Sequence, residues 1–551
     1  MYIALAQLDY VIGNFTENVR KMKAAIQLAK NQGAGLIVFS ELSICGYPPR
    51  DFLEFDDFIN RSQHAALDIA SVCTGIKAIV GLPGVNPKRE GKNLFNSAFV
   101  LSEGKIIDKV HKALLPNYDI FDEYRYFEPN RHFHCIEIDN IKIALTICED
   151  LWNIDDDPMY ISCPMDELIR EQPSLMINIA ASPFHYAQAE SRKDILVRNV
   201  RKYRLPLLYV NHAGAQTELI FDGGSLALDA QGNFIHQLNF LKEDLAIFDF
   251  NAEKRTLTKV GDKTEKYIYP ENKTERIHDA LVVGIHDYFK KLGFSKAILG
   301  LSGGIDSSLV AVLAARALGA ENVKVLLMPS EYSSAGSVDD SIQLVQNLGI
   351  QHEIIPIAPV YNQFLETLRS QFNNLPFNVT EENIQARTRG VLLMAMSNKF
   401  GYILLNTSNK SEIAVGYGTL YGDMCGGISV IGDVYKTEVY ELVRFINRDE
   451  EIIPETIITK PPSAELRPNQ KDSDSLPDYD ILDKVLYHYI EQRKGPAELI
   501  ATGFDEALIR RIMKLVNTNE YKRYQTPPIL RVSPKAFGMG RRLPIVGKYL
   551  S

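Results

Sequence analysis

The stretch KAILGLSGGIDSSLVAVLAARALG, from Lys296 to Gly319, decides the fold of the second half of the chain. Residues Ala297 to Leu301 carry no charge and suit a buried strand, and apolar residues then recur at helical spacing. The turn from Ser302 to Gly304 therefore joins a strand to a helix. Small residues let backbone N–H groups approach a ligand closely, and a helix start adds unpaired donors with partial positive charge. The stretch predicts an anion-binding site.

Asp306 lies in the first turn of this helix, where its carboxylate would repel a phosphate group. We therefore predict a Mg²⁺ ion between Asp306 and phosphate oxygens. The common phosphate loop, G-x-x-x-x-G-K-[ST], would need Gly and Lys at positions 305 and 306, which excludes an ordinary kinase or GTPase loop. The segment 302–307, SGGIDS, instead resembles the pyrophosphate loop of the N-type ATP pyrophosphatases, which adenylate a carboxyl or carbonyl oxygen. An ordinary glycine-rich turn is the alternative interpretation.

Composition is typical of a soluble globular protein of two to four domains, with 551 residues, 46% hydrophobic and 23% charged. The six cysteines include no CxxC pair, which suits a reducing compartment, and we expect a cytoplasmic protein. The N-terminus lacks a basic region and no apolar run reaches membrane-spanning length, so no membrane partner is expected. A net charge of −9 argues against a nucleic-acid partner.

Three reactive side chains in the first half each follow a predicted apolar strand: Glu41, Lys112 and Cys148. A thiol becomes a nucleophile when a nearby cation favours its thiolate and a carboxylate can accept its proton. Taken singly, however, a cysteine at a strand end is more often a small buried hydrophobe, and a Glu or Lys is more often solvated surface.

The sequence around these residues resembles the three catalytic segments of the nitrilase superfamily of amidases, in order and spacing. The segments are SELSICGYP (40–48), HKALLPNY (111–118) and ICEDLW (147–152). The resemblance implies that Glu41 is the general base, Lys112 the oxyanion and orientation residue, and Cys148 the nucleophile that forms a thioester. It also implies a supporting role for Glu123 and an α-β-β-α sandwich fold.

The glutaminase branch of that superfamily suggests where glutamine would bind. Tyr118 and the segment that begins at Ser182 match positions that hold glutamine in this branch. Six residues after Ser182 the branch often has Lys, whereas this chain has Gln188. A neutral amide cannot make the same ionic contact, so Gln188 is a glutamine-binding candidate that departs from the pattern.

A polar, charged run without apolar periodicity, from 251 to 272, separates the two halves. We place the first domain at residues 1–255, the linker at 256–274 and the second domain at 275–551. In the second domain, predicted strands at 323–328 and 354–357 alternate with helices. This order predicts a doubly wound parallel sheet with its ligand site at the carboxyl ends of the strands.

Further residues of the second half are candidates for nucleotide and metal contacts. Thr407 ends an apolar strand and is placed to contact nucleotide, and Glu412 is a second acidic group for the metal beside Asp306. Arg387 and Arg389 read as helix surface in isolation, but beside a phosphate loop they are candidate clamps for phosphoryl or carboxylate groups.

Several segments of the second half resemble the synthetase domain of the NAD synthetases. They are 302–307, 383–389, 404–412, 416–423, 462–467, 472–479 and 521–527. The resemblance implies that Asn383, Glu412 and Lys522 contact deamido-NAD and that residues 461–477 form a lid. It also implies an ATP site formed by Ser302, Gly303, Gly304, Ile305, Asp306, Ser307 and Thr407.

Together the two resemblances cover almost the whole chain and imply a glutamine-dependent NAD synthetase. Such an enzyme hydrolyses glutamine to ammonia and uses ATP to adenylate the carboxylate of deamido-NAD. Ammonia then displaces AMP, so the products are NAD, AMP, pyrophosphate and glutamate. We therefore expect Mg²⁺ as cofactor, with ATP, deamido-NAD and glutamine as substrates, in a homo-oligomer.

Other functions remain open at the level of sequence. They are another amidotransferase with a pyrophosphate loop, a tRNA-modifying ATP pyrophosphatase, and a non-enzymatic nucleotide sensor. The tRNA enzyme would want a basic face and often paired cysteines, which this acidic chain does not plainly offer. Tyr2 excludes a glutaminase with an N-terminal cysteine, and the neighbours of Cys148 exclude a Gly-x-Cys-x-Gly elbow.

Overall fold

The computed structural model describes residues 1–155, 157–261, 270–468 and 470–549. The chain divides into two compact units, Met1–Glu271 and Asn272–Ser551. Each unit contains its own sheets and its own hydrophobic core. No helix among the described residues combines the length and apolarity needed to cross a membrane.

The described residues of the first unit form two large sheets and four α-helices. Its strands are β1 (Tyr2–Gln7), β2 (Leu36–Val38), β3 (Lys77–Val85), β4 (Leu94–Ser102), β5 (Lys105–His111), β6 (Ile136–Ile138), β7 (Ile141–Ile147), β8 (Leu175–Ile179), β9 (Leu207–Val210), β10 (Ala213–Gln216), β11 (Leu219–Asp222), β12 (Leu226–Leu228), β13 (Phe234–Gln237), β14 (Asp244–Asn251) and β15 (Thr256–Lys259). Its helices are α1 (Phe15–Asn31), α2 (Asp56–Ala70), α3 (Pro164–Leu168) and α4 (Gln188–Tyr203).

The two large sheets form the centre of a four-layer sandwich. One sheet has the order β15-β14-β1-β2-β3-β4-β5 and the other β13-β12-β9-β8-β7-β6. Side chains alternate along β1: Ile3 and Leu5 join the core that contains residues of both sheets, whereas Ala4 and Ala6 pack with residues of α1 and α2. This alternation confirms the predicted α-β-β-α sandwich.

The second unit has a parallel sheet surrounded by helices. Its elements are α5 (Lys273–Leu292), β16 (Ala297–Gly300), α6 (Ile305–Leu318), β17 (Val323–Leu327), α7 (Ala335–Leu348), β18 (Gln351–Ile354), α8 (Ala358–Phe372), α9 (Val379–Phe400), β19 (Ile403–Asn406), α10 (Lys410–Val415), β20 (Ile428–Ser429), α11 (Lys436–Ile446), α12 (Glu455–Thr459), α13 (Tyr479–Leu486), α14 (Pro496–Ala501), α15 (Glu506–Thr518) and α16 (Glu520–Arg523).

The sheet of the second unit has the order β18-β17-β16-β19-β20, and all its pairings are parallel. This confirms the predicted doubly wound sheet, in which strand order reverses beside β16. The third strand lies earlier than predicted, at Gln351–Ile354, and Ile357 instead precedes helix α8. The strand is at an exposed edge of the sheet, so its own residues lack the apolar signal that placed it at 354–357.

The boundary between the units differs in detail from the predicted linker at 256–274. Strand β15 pairs with β14 and buries Leu257, so residues 256–259 belong to the first sheet. Helix α5 already begins at Lys273, where Asn272 caps it. Residues 262–269 of the predicted linker lie outside the described residues.

A buried ion pair ties helix α4 to strand β11 and provides a test of the first unit. Arg192 donates to both oxygens of Asp222, at 3.0 and 2.7 Å, and both side chains are buried. Arg192→Met should lower the free energy of unfolding by about 3–5 kcal/mol, because it leaves the Asp222 charge buried. Urea denaturation of the first unit measures this change.

The matched control is Arg20→Met, which removes an exposed pair with Glu17 on α1. Its effect should not exceed about 0.5 kcal/mol. Equal losses in the two variants would contradict the stabilising role of the buried pair.

Candidate active sites

The first site is built around a lysine that lies between two carboxylates. The Nζ of Lys112 donates to Glu41 Oε1 at 2.7 Å and to Glu123 Oε1 at 2.9 Å. All three side chains are buried. Lys112 directly follows β5, and Glu41 lies just beyond β2. Strand ends thus bring together side chains that are far apart in the sequence.

Both carboxylates are held by further donors. Asn96 Nδ2 donates to Glu41 Oε1 at 2.7 Å and to Glu123 Oε2 at 3.4 Å. The backbone N–H of Ala181 donates to Glu41 Oε2 at 2.9 Å, and the Tyr47 hydroxyl donates to Glu123 Oε1 at 2.9 Å. These bonds leave little freedom for either carboxylate to rotate.

Cys148 is the first residue after β7 and begins a short 3₁₀ turn to Leu151. Its φ of +45° lies in the left-handed region, which is unusual for a residue with a side chain. Asp150 holds this turn, because its carboxylate accepts from the N–H groups of Ala113 at 3.0 Å, Leu114 at 2.9 Å and Ile147 at 3.1 Å. The same carboxylate therefore fixes the turn of Cys148 and the segment that follows Lys112.

Burial dominates the electrostatics of this site. It raises the pKa of the Cys148 thiol well above its ordinary value, and repulsion by Glu41 adds to this, while Lys112 opposes it. Burial would lower the pKa of Lys112, but attraction to Glu123 and Glu41 outweighs burial and raises it. Burial also raises the pKa of Glu123 to about 7. The resting thiol is therefore protonated and needs a base when it reacts.

The predicted glutamine-binding residues Tyr118, Ser182 and Gln188 make two separate sets of contacts. Tyr118 and Tyr160 donate to Glu149 Oε1 at 2.9 and 3.0 Å, and Glu149 is the residue after Cys148. Burial raises the pKa of the Glu149 carboxyl. Gln188 Nε2 donates to Ser182 Oγ at 3.2 Å, so the structure brings these two predicted residues together.

The second site is the turn between β16 and α6. Gly303 has a φ of +77°, and a Cβ at this position would lie 2.3 Å from the backbone oxygen of Ser337. Only glycine fits such an approach. The Oγ of Ser302 accepts from the N–H of Gly304 at 3.2 Å and lies 3.1 Å from Ser307 Oγ. The predicted phosphate loop is therefore a tight turn closed by its own hydroxyl groups.

Two cavities adjoin this loop, with volumes of about 260 and 170 Å³. Ser302, Gly304, Ser307 and Thr407 line both. The larger cavity has a mixed lining, in which Leu327, Leu404 and Leu405 of the sheet are apolar and Arg389 and several serines are polar. The smaller cavity also contains Gly303, Ile305, Asp306, Glu412, Lys436 and Asp472.

Lys436 joins the acidic side chains of the smaller cavity. Its ammonium donates to Asp306 Oδ2 and lies 3.8 Å from Glu412 Oε1, and Asn409 Nδ2 donates to Asp306 Oδ1 at 3.0 Å. Burial and the nearby charge of Asp306 raise the pKa of Glu412 to about 8. Burial would lower the pKa of Lys436, but Asp306 and Glu412 outweigh it and raise this pKa.

Asp306 and Glu412 fit a Mg²⁺ site that is completed by a substrate. Both carboxylates line the smaller cavity and lie near the ammonium of Lys436. Among the described residues, no group of three or more His, Cys, Asp or Glu side chains is arranged to hold a metal. Mg²⁺ commonly binds one or two carboxylates together with phosphate oxygens and water, so two protein ligands suffice.

The remaining predicted residues of the second unit have different positions. Asn383 Oδ1 accepts from Thr419 Oγ1 at 2.7 Å, and Lys522 Nζ donates to the backbone oxygens of Gly416 and Gly418 at 2.8 Å. Both therefore contact the loop at 416–423, although neither is among the described residues that line the two cavities.

The two candidate arginine clamps differ in position, because only one of them is in the described lining of a cavity. Arg389 lines the larger cavity, where burial lowers its pKa to about 10 and its Nε donates to the Met328 oxygen at 3.1 Å. Arg387 instead donates to the Leu420 oxygen at 3.1 Å and is absent from the described lining of both cavities.

The predicted lid lies against both cavities. Ser463 to Leu466 line the larger one, and Pro461 to Ala464 with Asp472 line the smaller one. Gln385 Nε2 donates to the Leu466 oxygen at 2.9 Å, and Lys460 donates to Glu465 at 2.7 Å. Asn469, within the predicted lid, lies outside the described residues.

Sequence reasoning missed several residues at both sites. Glu149 and Asp150 lie within the segment ICEDLW, which could have drawn attention to them. Asn96 and Lys436 gave no signal, because a lone amide or lysine inside a strand or helix pattern is ordinary. Only the fold brings Asn96 to Glu41 and Lys436 to Asp306.

Comparisons with known proteins agree with this architecture. Residues 2–259 match the carbon-nitrogen hydrolase family, and residues 277–526 match the NAD synthase family. The glutamine-dependent NAD(+) synthetase of Synechocystis sp. is 45% identical over 550 residues, which cover 98% of each chain. That of Thermotoga maritima is 40% identical over 99% of this chain and 98% of its own.

A solved structure extends the similarity to three dimensions. The glutamine-dependent NAD+ synthetase of Acinetobacter baumannii, in complex with ADP, is 38% identical with a TM-score of 0.78. The match covers 99% of this chain and 98% of the other. Sequence and fold agree over nearly the full length of each relative, and the chain belongs to the glutamine-dependent NAD(+) synthetase family.

Proposed function

We propose that this protein converts deamido-NAD to NAD with ATP and with ammonia taken from glutamine. The observation that carries the proposal is the buried group of Cys148, Lys112 and Glu41 in a chain whose second unit contains a pyrophosphate-type loop. A thiol site supplies nitrogen, and a phosphate loop activates a carboxylate that would otherwise resist attack by ammonia.

In the first unit, the Cys148 thiol attacks the carboxamide carbon of glutamine and transfers its proton to Glu41. Glu41 then protonates the departing nitrogen, so ammonia leaves and a thioester remains. Water hydrolyses the thioester, with Glu41 as base, and releases glutamate. The ammonium of Lys112 has three N–H donors, of which two carboxyl groups take two, and the third is available for the oxyanion.

Glutamine recognition is assigned to the residues around the thiol. The buried carboxylate of Glu149, held by Tyr118 and Tyr160, is suited to the ammonium group of the substrate. Ser182 and Gln188 would receive the α-carboxylate as hydrogen-bond donors. Because Gln188 is neutral, this contact lacks the charge that a lysine would supply.

In the second unit, a nicotinate carboxylate oxygen of deamido-NAD attacks the α-phosphorus of ATP, and pyrophosphate leaves. Ammonia then attacks the acyl carbon, and AMP leaves with the oxygen that bridged carbon and phosphorus. The loop from Ser302 to Ser307 would bind the phosphates, and the larger cavity would take the nucleoside beside Thr407 and Arg389. We assign deamido-NAD to the region of Asn383, Glu412 and Lys522, which lies along the loop at 416–423.

Mg²⁺ would be held by Asp306 and Glu412 and would neutralise charge on the phosphates. Lys436 already pairs with Asp306 and can turn to a phosphate oxygen when that carboxylate takes a metal. The residues from 461 to 477 would cover the substrates as a lid. Self-association is also proposed, since apolar side chains of the second unit are exposed on α8, on α9 and between them, at Val360, Phe364, Leu375, Phe377 and Val379.

Cys148→Ala tests the division of labour. Synthesis from glutamine should fall roughly a thousandfold or more, because no other group in the site can form the thioester. Synthesis from added ammonium should stay within about twofold of the wild type, since the second unit is intact. NAD formation and pyrophosphate release from each nitrogen donor are measured.

Cys73→Ala is the control, because Cys73 is also buried in the first unit and its thiol donates to the backbone oxygen of Ile69. It should retain both activities. Loss of ammonium-dependent synthesis in a folded Cys148→Ala protein would contradict the proposed roles.

Asp306→Asn tests the phosphate site. It removes a charge that Lys436 and the proposed metal both need, so synthesis from glutamine and from ammonium should fall together, by about a hundredfold. Direct glutamine hydrolysis by the first unit should persist. Asp449→Asn, which alters an exposed pair with Arg448, should leave both reactions unchanged. Unchanged synthesis in Asp306→Asn would disprove the assignment.

Gln188→Lys tests the glutamine site through a gain of affinity rather than a loss of activity. A lysine beside Ser182 would pair with the substrate α-carboxylate and should lower the KM for glutamine about tenfold, with little change in kcat. Gln188→Met serves as the uncharged control and should not lower KM. A KM for glutamine that does not fall in the lysine variant would count against this position of the α-carboxylate.

A further inference from the structure

Asn96 lies in β4 and makes contact with three members of the thiol site at once. Its side-chain amide donates to Glu41 Oε1 and Glu123 Oε2, and its backbone oxygen accepts from the N–H of Lys112 at 2.8 Å. The side chain is fully buried. One residue thus holds the base, the second carboxylate and the lysine in one arrangement.

The orientation of the Asn96 amide is fixed by charge. The NH₂ group faces two carboxylates, because the reversed amide would place its oxygen against them. Its Oδ1 has no hydrogen-bond partner among the described residues, although it is buried. A buried unpaired acceptor destabilises a protein, so packing alone gives no reason to keep an amide here.

The two carboxylate oxygens of Glu41 receive different numbers of hydrogen bonds. Oε1 receives Lys112 and Asn96, whereas Oε2 receives only the N–H of Ala181 among the described residues. Each carboxylate oxygen can accept about two hydrogen bonds. Oε2 therefore retains the capacity to accept one more hydrogen bond.

We propose that Asn96 is a positioning residue for glutamine hydrolysis. Together with Lys112 it fills the acceptor capacity of Glu41 Oε1 and so leaves Oε2 to accept the proton of the Cys148 thiol. Asn96 supplies a donor without adding a second positive charge beside Lys112. A lysine in its place would add a second ammonium group, and an apolar residue would remove one of the three donors that hold Glu41. The proposal rests on the proposed glutaminase activity and adds a residue to it.

Asn96→Leu, which has nearly the same shape and no donor, tests the proposal in the full-length protein. Glutamate release from glutamine, with ATP and deamido-NAD present, should fall about ten- to a hundredfold in kcat/KM, mainly through kcat. Asn96 also donates to Glu123, whose pKa burial raises to about 7, and loss of this donor favours the protonated form of Glu123, so the acidic limb of the pH profile should move to higher pH. The charged and titratable groups near Glu41 include Lys112, Glu123, Cys148, Tyr47 and Glu149, and the ring of His212 bonds the Glu41 backbone oxygen.

The rate at which iodoacetamide alkylates Cys148, measured as a function of pH by mass spectrometry of the Cys148 peptide, reports the same acidic limb without a substrate. The control is Asn18→Leu, because Asn18 is equally buried and, among the described residues, its side chain bonds to the backbone of Val11 and Ile44 rather than to a carboxylate. It should reduce stability and leave both pH profiles in place.

The outcomes separate this proposal from the function on which it rests. If the wild type releases no glutamate, the proposed function fails. Two results with an active wild type would overturn the proposal and make Asn96 structural. In the first, a folded Asn96→Leu protein keeps its kcat/KM. In the second, it loses activity but the acidic limb of its pH profile does not move. Should the leucine variant not unfold cooperatively, Asn96→Ser takes its place, and failure of both to fold would also show a structural role.

Discussion

The buried ion pairs of Lys112 are the interaction on which the first site depends. A lysine and two carboxylates, removed from water, are stable only when their charges and hydrogen bonds compensate one another. Here the compensation comes from Glu41, Glu123, Asn96 and the N–H of Ala181. The site carries one net negative charge when both carboxylates are ionised. Burial of the Cys148 thiol, together with repulsion by Glu41, keeps the resting thiol protonated.

The second site depends on close approach rather than on buried charge. Gly303 lets the loop pack against the Ser337 backbone, which brings the start of α6 and the two cavities together. Lys436 balances Asp306 in the smaller cavity and Glu412 adds a second carboxylate. The first unit therefore buries one lysine between two carboxylates, whereas the second holds a cluster of Asp306, Glu412 and Lys436 at the wall of a cavity.

Much of this could be predicted from the sequence, because the relevant signals are local. The strand, glycine turn and helix at 296–319 follow from apolar spacing, and Glu41, Lys112 and Cys148 stand in short segments with a characteristic order. Asn96 and Lys436 could not be found in this way, since their roles arise only when distant elements meet. Strand β15 could not be predicted either, because a single buried residue, Leu257, in a polar run gives too little apolar periodicity to indicate a strand.

The central claim is that one protein moves nitrogen from glutamine to an adenylated carboxylate. Deamido-NAD labelled with ¹⁸O in its nicotinate carboxylate, supplied with ATP and amide-¹⁵N glutamine, tests this directly by mass spectrometry of the products. The account predicts ¹⁵N in the carboxamide of NAD, one ¹⁸O atom in each AMP and none in pyrophosphate. Unlabelled AMP, or ¹⁸O in pyrophosphate, would contradict it.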